Sequence, residues 1–208
     1  MSWSYSQYLP MGMNPNGPVP TNRIPIGAPF YVRVTDETIS GFWGEYEFLS
    51  NFYLSDVSYE GFVYNCVETA YHAQKVTVDY RCLFCEMNPD EARTAWKLYP
   101  TADEDGTSWN MRKDDIMLTL LFTKFINTTP ISRNWVEDTT LRRKLADTGD
   151  KHLVYATDIE DRYWGIHVKN KNGMDVAVGS NKLGDMLEGL RKMWRTIDKL
   201  DPRFVELD

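Results

Sequence analysis

The sequence has no apolar run long enough to cross a bilayer, and no charged amino terminus followed by an apolar segment. A membrane span needs about 20 mostly apolar residues, and a secretory signal needs both of the other features. Cysteine is scarce as well, with 3 residues in 208. An odd number of thiols does not suit a disulfide framework. The sequence therefore predicts a cytoplasmic protein with reduced thiols and no membrane association.

Basic residues are outnumbered, with 23 Lys and Arg against 30 Asp and Glu, which gives a net charge of −7. Broad binding of nucleic acid depends on clustered Lys and Arg that contact phosphates. The charge balance therefore argues against an extended nucleic acid footprint. It leaves room for a local site that binds one nucleotide.

Several common site motifs are also missing: the chain has no Walker loop, GxGxxG, HExxH or GxSxG. One C-x-x-C pair occurs at Cys82 and Cys85. Zinc would need two further ligands, for which only three histidines remain, and no thioredoxin-like βαβ pattern surrounds the pair. The pair therefore predicts neither a zinc site nor a thioredoxin-like redox site.

Residues 1–40 are rich in Pro, Gly and Asn and cannot form a regular helix or a central strand. They are interpreted as an arm that wraps the domain or mediates subunit contacts, and a partly ordered tail is an equally open alternative. Residues 41–200 are predicted to form one domain, followed by a tail at 201–208. The 7 Trp, 12 Tyr and 9 Phe suggest clefts walled by rings as well as a core.

Strand-like and helix-like segments follow one another after residue 41. Aromatic and β-branched residues predict one or two short strands in 42–64, with a turn at Glu60-Gly61. A further short strand is predicted at 152–156, before a hairpin or long loop at 167–181. Helices are predicted at 66–75, 89–98, 110–126 and 131–147, and from about 181 onward. Asn88 is the expected N-cap of the second helix, with Pro89 at its first position. Apolar residues on every side of the third helix predict that it is buried centrally. The last helix carries an apolar stripe of Leu183, Leu187, Leu190, Trp194 and Ile197. This pattern favours an α+β fold, mostly helical, with a few short strands in a single domain.

The stretch NCVETAYHAQK, residues 65–75, carries the clearest sign of a site. Steps of about 100° per residue put His72 about 40° from Glu68 on a helical wheel, with Tyr71 and Lys75 on the same side. Three small residues occupy the opposite face: Cys66, Ala70 and Ala73. Small residues bring the helix backbone close to the core, so the polar face is expected to border a cleft.

Each candidate group also has an ordinary structural explanation. Glu68 and His72 could form a solvated surface pair, since they are four residues apart. Asp161 could belong to an acidic turn beside a core Trp164, and Trp109 could simply cover the core. Asn181 lies in GSNKLG, where free backbone N–H groups can bind an anion, but helix capping explains the same residues equally well.

The order of six motifs along the chain is more specific than any one of them. FLSNFY, VETAYHAQK, SWNMRKDDIM, TKF, DRYWGIH and GSNKLGDMLEGLR occur in this sequence in that order. In this order they resemble the NADAR family, also called YbiA-like, over roughly residues 42–195. The resemblance implies a compact, mostly helical fold with a few short strands. It also implies an N-glycosidase that needs no cofactor.

The resemblance attaches two substrate classes to the chain. One is ADP-ribose linked to the amino group of guanine, including guanine in single-stranded DNA, where some members act as antitoxins. The other is a small phosphoribosyl metabolite, the phosphoribosylamino-pyrimidines of the early riboflavin pathway. A third hypothesis is a module that binds ADP-ribose or a nucleotide without turnover. The presence of three candidate catalytic residues argues against it.

The same resemblance assigns roles to residues. Cleavage of a ribosyl C1–N bond needs a carboxylate, for which Glu68 is the candidate, and Asp161 is implied as a second carboxylate. Lys75 could attack C1 of an opened ribose and form an imine, and burial against rings would lower its pKa. Its spacing from Glu68, about 10 Å along the helix axis, suits two ends of one substrate group. The implied substrate-binding residues are Asn51, Phe52, Tyr53, Tyr71, Trp109, Trp164, Gly165 and Asn181.

This chain departs from the family pattern at several positions. Tyr155 stands where the family usually has a glutamate, so an acidic role there is lost, although a tyrosine can still hydrogen-bond a substrate. Thr69 stands where histidine is common. The cysteine pair and the insertion KNKNGMDVAV also look private to this chain.

Overall fold

The structure is a computed structural model. The structure describes residues 28–102, 107–126, 141–171 and 174–200. Most of the predicted arm, the predicted tail and the first ten residues of the predicted helix at 131–147 lie outside these residues. The chain divides into two compact units: one combines residues up to Ser50 with those from Ala146 onward, and the other runs from Asn51 to Leu145.

The described elements are short strands and five α-helices. In chain order the strands are β1 (Arg33–Val34), β2 (Thr38–Ser40), β3 (Val57–Tyr59), β4 (Phe62–Tyr64), β5 (His152–Val154), β6 (Ala156–Thr157), β7 (Ile166–Lys171) and β8 (Met174–Gly179). The helices are α1 (Val67–Ala73), α2 (Pro89–Ala95), α3 (Thr107–Ile126), α4 (Leu141–Asp147) and α5 (Lys182–Leu200). Short 3₁₀ helices occupy Gly44–Leu49, Val78–Phe84 and Trp96–Leu98. The predicted α+β class is confirmed.

In the unit that runs from Asn51 to Leu145, β3 and β4 form an antiparallel hairpin. Glu60 and Gly61 occupy its two-residue turn with φ of 45° and 86°, the left-handed conformation that matches the twist of a tight hairpin. The hairpin packs on α3, and α1 packs on both α2 and α3. The strands and the turn predicted at 42–64 are confirmed.

Helix α2 begins as its capping sequence predicts. The Asn88 side chain accepts a hydrogen bond from the backbone N–H of Asp90 at 2.9 Å, and Pro89 occupies the first helical position. The helix then tightens into the 3₁₀ turn Trp96–Leu98. Arg93 lies in the last turn of α2, and Trp96 begins the 3₁₀ turn that follows it.

Helix α3 was expected to carry apolar surface all round and to lie in the centre of the core. It is instead buried on one side only, because Leu118 is 42% and Ile126 is 43% exposed. Its buried side comprises Ile116, Met117, Leu120, Leu121 and Phe125.

In the other unit, β2 pairs with β1 in antiparallel and with β5 in parallel fashion. Strand β7 pairs with β6 in parallel and with β8 in antiparallel fashion, which confirms the predicted hairpin. Helix α5 packs on β5. Its predicted apolar stripe is buried at Leu183, Leu187, Leu190 and Trp194, whereas the fifth member, Ile197, is 37% exposed. Strands β1 and β2 fall before residue 41, and the predicted domain boundaries stay a prediction.

None of the helices in the described ranges combines the length and the apolar character needed to cross a bilayer.

Candidate active site

Helix α1 has its small residues in the core and its polar residues together on the other side. Cys66, Ala70 and Ala73 are completely buried, as the sequence predicts. No side chain caps the amino end of the helix. Instead, the backbone N–H of Glu68 donates to the carbonyl oxygen of Asn51 at 3.0 Å. This bond ties the start of α1 to the segment Asn51–Tyr53, whose substrate-binding role stays a prediction.

The polar face of α1 contains a continuous line of three contacts. Glu68 Oε1 lies 3.1 Å from His72 Nε2, and His72 Nδ1 lies 3.0 Å from Lys75 Nζ. Spacings of four and three residues place these side chains over one another on a helix. The sequence suggests a gap between Glu68 and Lys75 that a substrate group would fill, whereas the structure places the imidazole of His72 between them.

The chemistry of the neighbours decides which nitrogen of His72 carries the proton. An ionised carboxylate can only accept a hydrogen bond, so Nε2 donates to Glu68. Nδ1 of the neutral ring is then an acceptor, and the Lys75 amine donates to it. The imidazole is only 8% exposed, so water does not readily replace either partner.

Helix α2 adds a cation on the far side of Glu68. Arg93 Nε lies 3.7 Å from Glu68 Oε1, and the guanidinium carbon lies 5.7 Å from the centre of the Phe52 ring. The Glu68 carboxylate is therefore held between an imidazole from its own helix and a guanidinium from α2. Phe52 joins this group through its contact with Arg93.

Three aromatic rings surround the amine of Lys75. Its Nζ lies 4.6 Å from the centre of the Trp96 ring, 5.1 Å from that of Tyr71 and 5.4 Å from that of Trp109. Tyr71 and Trp109 also meet edge to face at 5.0 Å. The Trp96 indole N–H donates to the carbonyl oxygen of Arg93 at 3.1 Å, which fixes the orientation of that ring. The predicted residues Lys75, Tyr71 and Trp109 thus lie together.

Burial shifts the pKa of two of these groups. It lowers the pKa of Lys75 to about 8, with Glu68 opposing the shift and Lys97 adding to it. Burial also lowers the pKa of His72, and the hydrogen bond that its imidazole donates to Glu68 opposes this shift. The three rings favour the charged amine, but loss of hydration outweighs them. About a tenth of the Lys75 amine is therefore neutral at pH 7, which confirms the direction expected from the sequence.

A second buried amine lies near the segment Asn51–Tyr53. Lys124 is completely buried, and this lowers its pKa to about 7. Its Nζ lies 5.4 Å from the centre of the Tyr53 ring. Asn51 is buried too: its Nδ2 donates to the sulfur of Met117 at 3.6 Å, and its Oδ1 has no hydrogen-bond partner within the described ranges. An amide oxygen without a partner is unusual in a core and is suited to a ligand donor.

The remaining predicted residues lie in the other unit and form a separate group. Asp161 Oδ1 accepts hydrogen bonds from the backbone N–H groups of Tyr163 at 3.2 Å and Trp164 at 3.0 Å. The rings of Tyr163 and Trp164 meet edge to face at 5.0 Å. One oxygen of Asp161 thus shapes the turn DRYWG, as the ordinary explanation of an acidic turn requires.

Gly165 and Asn181 hold the backbone around Tyr155. A Cβ on Gly165 would lie 2.6 Å from the carbonyl oxygen of Tyr155, so only glycine fits. Asn181 has φ of 50°; its Oδ1 accepts from the Tyr155 N–H and its Nδ2 donates to the Leu153 carbonyl, both at 2.9 Å. The Tyr155 ring stacks on Phe42 at 5.8 Å. The substrate roles of Gly165 and Asn181 stay predictions.

Sequence reasoning missed three residues that contact Glu68 or Lys75: His72, Arg93 and Trp96. His72 was visible on the polar face of the wheel but received no role. Arg93 and Trp96 carry no local signal, because their contacts with Glu68 and Lys75 arise only when α2 packs on α1.

The described residues contain no cluster of three or more His, Cys, Asp or Glu side chains able to hold a metal ion. Cys82 is exposed and Cys85 half-buried, and both are free thiols.

Comparisons with known proteins support the family resemblance that the order of the motifs indicates. A family model described as NADAR domain matches residues 40–195. The NMR structure of the E. coli protein YbiA has a similar fold, with a TM-score of 0.57 and 24% sequence identity over 83% of this chain and 92% of the YbiA chain. No curated protein matches the chain.

Proposed function

Because the chain belongs to the NADAR family, which is associated with N-glycosidase activity, we propose that it hydrolyses the bond between a ribosyl C1 and an amino nitrogen. The proposed substrate is guanine that carries ADP-ribose on its amino group, either in single-stranded DNA or as a nucleotide. Removal of ADP-ribose would restore the base, which is the chemistry of an antitoxin against a DNA ADP-ribosyltransferase.

One observation carries the proposal: the Lys75 amine is buried among three rings and has a pKa lowered to about 8. A neutral amine is a nucleophile, whereas an ammonium ion is not. A lysine kept solely to pair with Glu68 would not need this environment. The same feature argues against a module that only binds nucleotides.

The amine suits a reaction through an imine. When the ribose ring of the N-glycoside opens, C1 becomes doubly bonded to the amino nitrogen of guanine. The Lys75 nitrogen bonds to C1, the bond from C1 to guanine breaks, and guanine leaves with a free amino group. Water then hydrolyses the Lys75 imine, which releases ADP-ribose and regenerates the amine. No oxidant, reductant or metal takes part in this sequence.

The surroundings of Lys75 support binding of a base. Trp96, Trp109 and Tyr71 offer ring faces and edges on which a purine can stack. Asn51 Oδ1 is buried and has no hydrogen-bond partner in the part of the chain that the structure describes, so it can serve as an acceptor for a substrate N–H or hydroxyl group. We propose that Phe52 and Tyr53 line the same region, as the family pattern implies.

The charge balance supports a second candidate. A net charge of −7 suits a small metabolite better than a long nucleic acid, because phosphate contacts rely on clustered cations. The corresponding substrate is a phosphoribosylamino-pyrimidine, from which the same C1–N cleavage releases ribose 5-phosphate. An enzyme that acts on one displaced base needs only a small contact area on the DNA. ADP-ribosylated guanine therefore remains the preferred substrate.

The test is a parallel assay of two substrates: an ADP-ribosylated guanine oligonucleotide and a phosphoribosylamino-pyrimidine. Release of ADP-ribose from the oligonucleotide alone is the expected result. Release of ribose 5-phosphate alone would replace it with the second candidate. Release of neither, by protein that is folded, would overturn the glycosidase proposal. His152→Gln serves as a control, since His152 lies outside the unit that contains Lys75.

A further inference from the structure

The contacts on α1 form an ordered set of a carboxylate, an imidazole and an amine. Glu68 Oε1 contacts His72 Nε2 at 3.1 Å, and His72 Nδ1 contacts Lys75 Nζ at 3.0 Å. A nucleophile within hydrogen-bond reach of a base, which a third group orients, is the general arrangement of nucleophilic catalysis. Here all three members come from one helix and the turn that follows it.

We propose that Glu68, His72 and Lys75 form a catalytic triad in which His72 is the general base for the Lys75 amine and Glu68 is the positioning residue that orients the imidazole. The inference rests on the imine chemistry of the proposed function. It changes the role of Glu68, which the family resemblance would place on the sugar or on water.

The proton balance of the step closes without any additional reagent. As the Lys75 nitrogen bonds to C1, one of its protons passes to His72 Nδ1. The imidazolium then returns this proton to the amino nitrogen of guanine. When the bond from C1 to the guanine nitrogen breaks, the second Lys75 proton follows the same route. Guanine thereby gains the two hydrogens that Lys75 loses. Throughout, His72 Nε2–H stays hydrogen-bonded to the Glu68 carboxylate, which stabilises the transient imidazolium.

The electrostatic surroundings keep the imidazole neutral before reaction, as a base must be. Lys75 and, from α2, Arg93 both disfavour its protonation, and burial is the largest effect that lowers the pKa of His72. Glu68 opposes them. Lys97 acts on the Lys75 amine, whose pKa it lowers further. The ring of Tyr71 meets the imidazole edge to face at 5.5 Å and holds its plane.

Two explanations of these contacts make opposite predictions for Glu68. If Glu68 acts on Lys75 only through space, its removal lowers the pKa of the amine further, because Glu68 now raises it. More neutral amine would then react faster near pH 7. If Glu68 orients a catalytic His72, its removal slows the reaction despite the larger fraction of neutral amine.

The experiment measures imine formation at Lys75 without relying on a glycosidase substrate. Ribose 5-phosphate, an aldehyde in its open form, is incubated with the full chain and excess cyanoborohydride. The adduct on each lysine is quantified by peptide mass spectrometry. The matched variants are His72→Gln, which keeps an acceptor for Lys75 and a donor for Glu68 but transfers no proton, and the control His152→Gln. Adduct formation at Lys97 serves as the internal standard.

The triad predicts that His72→Gln and Glu68→Gln each slow trapping at Lys75, the former by about 100-fold, while His152→Gln leaves it unchanged. The double variant should be no slower than His72→Gln alone, because residues that act as a unit are not additive. Equal trapping in His72→Gln and wild type would overturn the proposal, as would absence of trapping at Lys75 in wild type. Faster trapping in Glu68→Gln would show that Glu68 acts on Lys75 only through space, which would also overturn the triad.

A second measurement protects the test against a folding defect. In His72→Ala, added imidazole should restore trapping, whereas pyrazole, of similar shape but far weaker as a base, should not. Equal rescue by both would show that the ring only fills space and would overturn the triad. If wild type traps at Lys75 in a His72-dependent way yet turns over neither glycoside, the proposed function fails while the triad stands.

Discussion

The two groups of predicted site residues differ in what their polar side chains contact. On α1 and in the turn after it, the predicted residues Glu68 and Lys75 each contact His72. In the turn DRYWG and at the start of α5, Asp161 and Asn181 contact backbone N–H and C=O groups. Both groups belong to family motifs, so membership of a motif does not by itself distinguish a catalytic residue from a structural one.

The difference also appears in the electrostatics. The pKa values of Lys75 and His72 are lowered by burial, a combination that is common where proton transfer takes place. Asn181 cannot ionise, and both its amide oxygen and its amide nitrogen are hydrogen-bonded to the backbone. We infer that the group on α1 performs the chemistry and that the other group holds a defined loop geometry. The predictions that follow test this division, starting with the largest expected effect.

Lys75→Arg should remove imine trapping and reduce turnover by more than about 1,000-fold, or about 4 kcal/mol of transition-state free energy. Arginine keeps the positive charge near the three rings but cannot form an imine at neutral pH. The measurement combines adduct mapping after borohydride reduction with single-turnover kinetics.

Lys97→Arg is the matched control for this change. Lys97 lies 5.9 Å from the centre of the Trp96 ring and is not part of the hydrogen-bonded line, so its replacement should leave both readouts nearly intact. Normal turnover by Lys75→Arg would assign the reaction to direct attack by water.

Glu68→Gln should lower turnover by about 100-fold, which corresponds to about 2.7 kcal/mol. Glutamine keeps the shape of the side chain and a hydrogen-bond acceptor toward His72 Nε2 but loses the charge that stabilises the imidazolium. Thermal unfolding should change little, because the carboxylate is replaced by a group of similar size. Full activity would exclude any role for the carboxylate.

Asn181→Gly should destabilise the protein by about 2–3 kcal/mol, because the part-buried N–H of Tyr155 and the buried C=O of Leu153 each lose a partner. Glycine adopts the φ of 50° at this position without strain, so the loss combines these hydrogen bonds with the extra backbone freedom that glycine gives the unfolded chain. Denaturant unfolding measures the effect, and Ser180→Gly, at an exposed neighbouring residue, is the control. A stable variant with abolished turnover would instead place Asn181 in the chemistry.

The sequence predicted the elements that depend on local pattern. The hairpin at 57–64, the capped start of α2 at Asn88 and the apolar stripe of α5 all rest on turn, cap or periodicity signals that act over a few residues. The one-sided burial of α3 could not be predicted, because Leu118 and Ile126 are as apolar as its buried residues. Only tertiary packing decides which side of such a helix meets solvent.

The same distinction applies to the candidate site. The wheel placed Glu68, Tyr71 and Lys75 on one face because helix geometry alone decides it. It could not show that His72 bridges two of them, since that depends on side-chain rotamers and burial. The contributions of Arg93 and Trp96 depend on the packing of α2 on α1, which no local pattern encodes.

The rate of trapping at Lys75 should rise between pH 7 and pH 9. With a pKa of about 8, the neutral fraction of the amine grows from about a tenth to about nine tenths over this range. The rate rises with pH because the neutral amine is the nucleophile, and burial brings the rise into this range by lowering the pKa of Lys75. Lys97→Gln removes a cation that lowers this pKa, so its profile should shift to higher pH. A flat profile would contradict a titrating nucleophile.

Asp161→Asn should have the smallest effect, a loss of less than about 1 kcal/mol in unfolding free energy. Asparagine retains an oxygen that can accept from the N–H groups of Tyr163 and Trp164, so the turn should persist. If Asp161 only shapes the turn, turnover stays near that of wild type, whereas Asp161→Ala, which has no acceptor, loses stability. If Asp161 is the second carboxylate that the family pattern implies, Asp161→Asn loses turnover while unfolding at the same denaturant concentration as wild type. That result would place an ionised group with a chemical role in the turn and would end the division between the two groups.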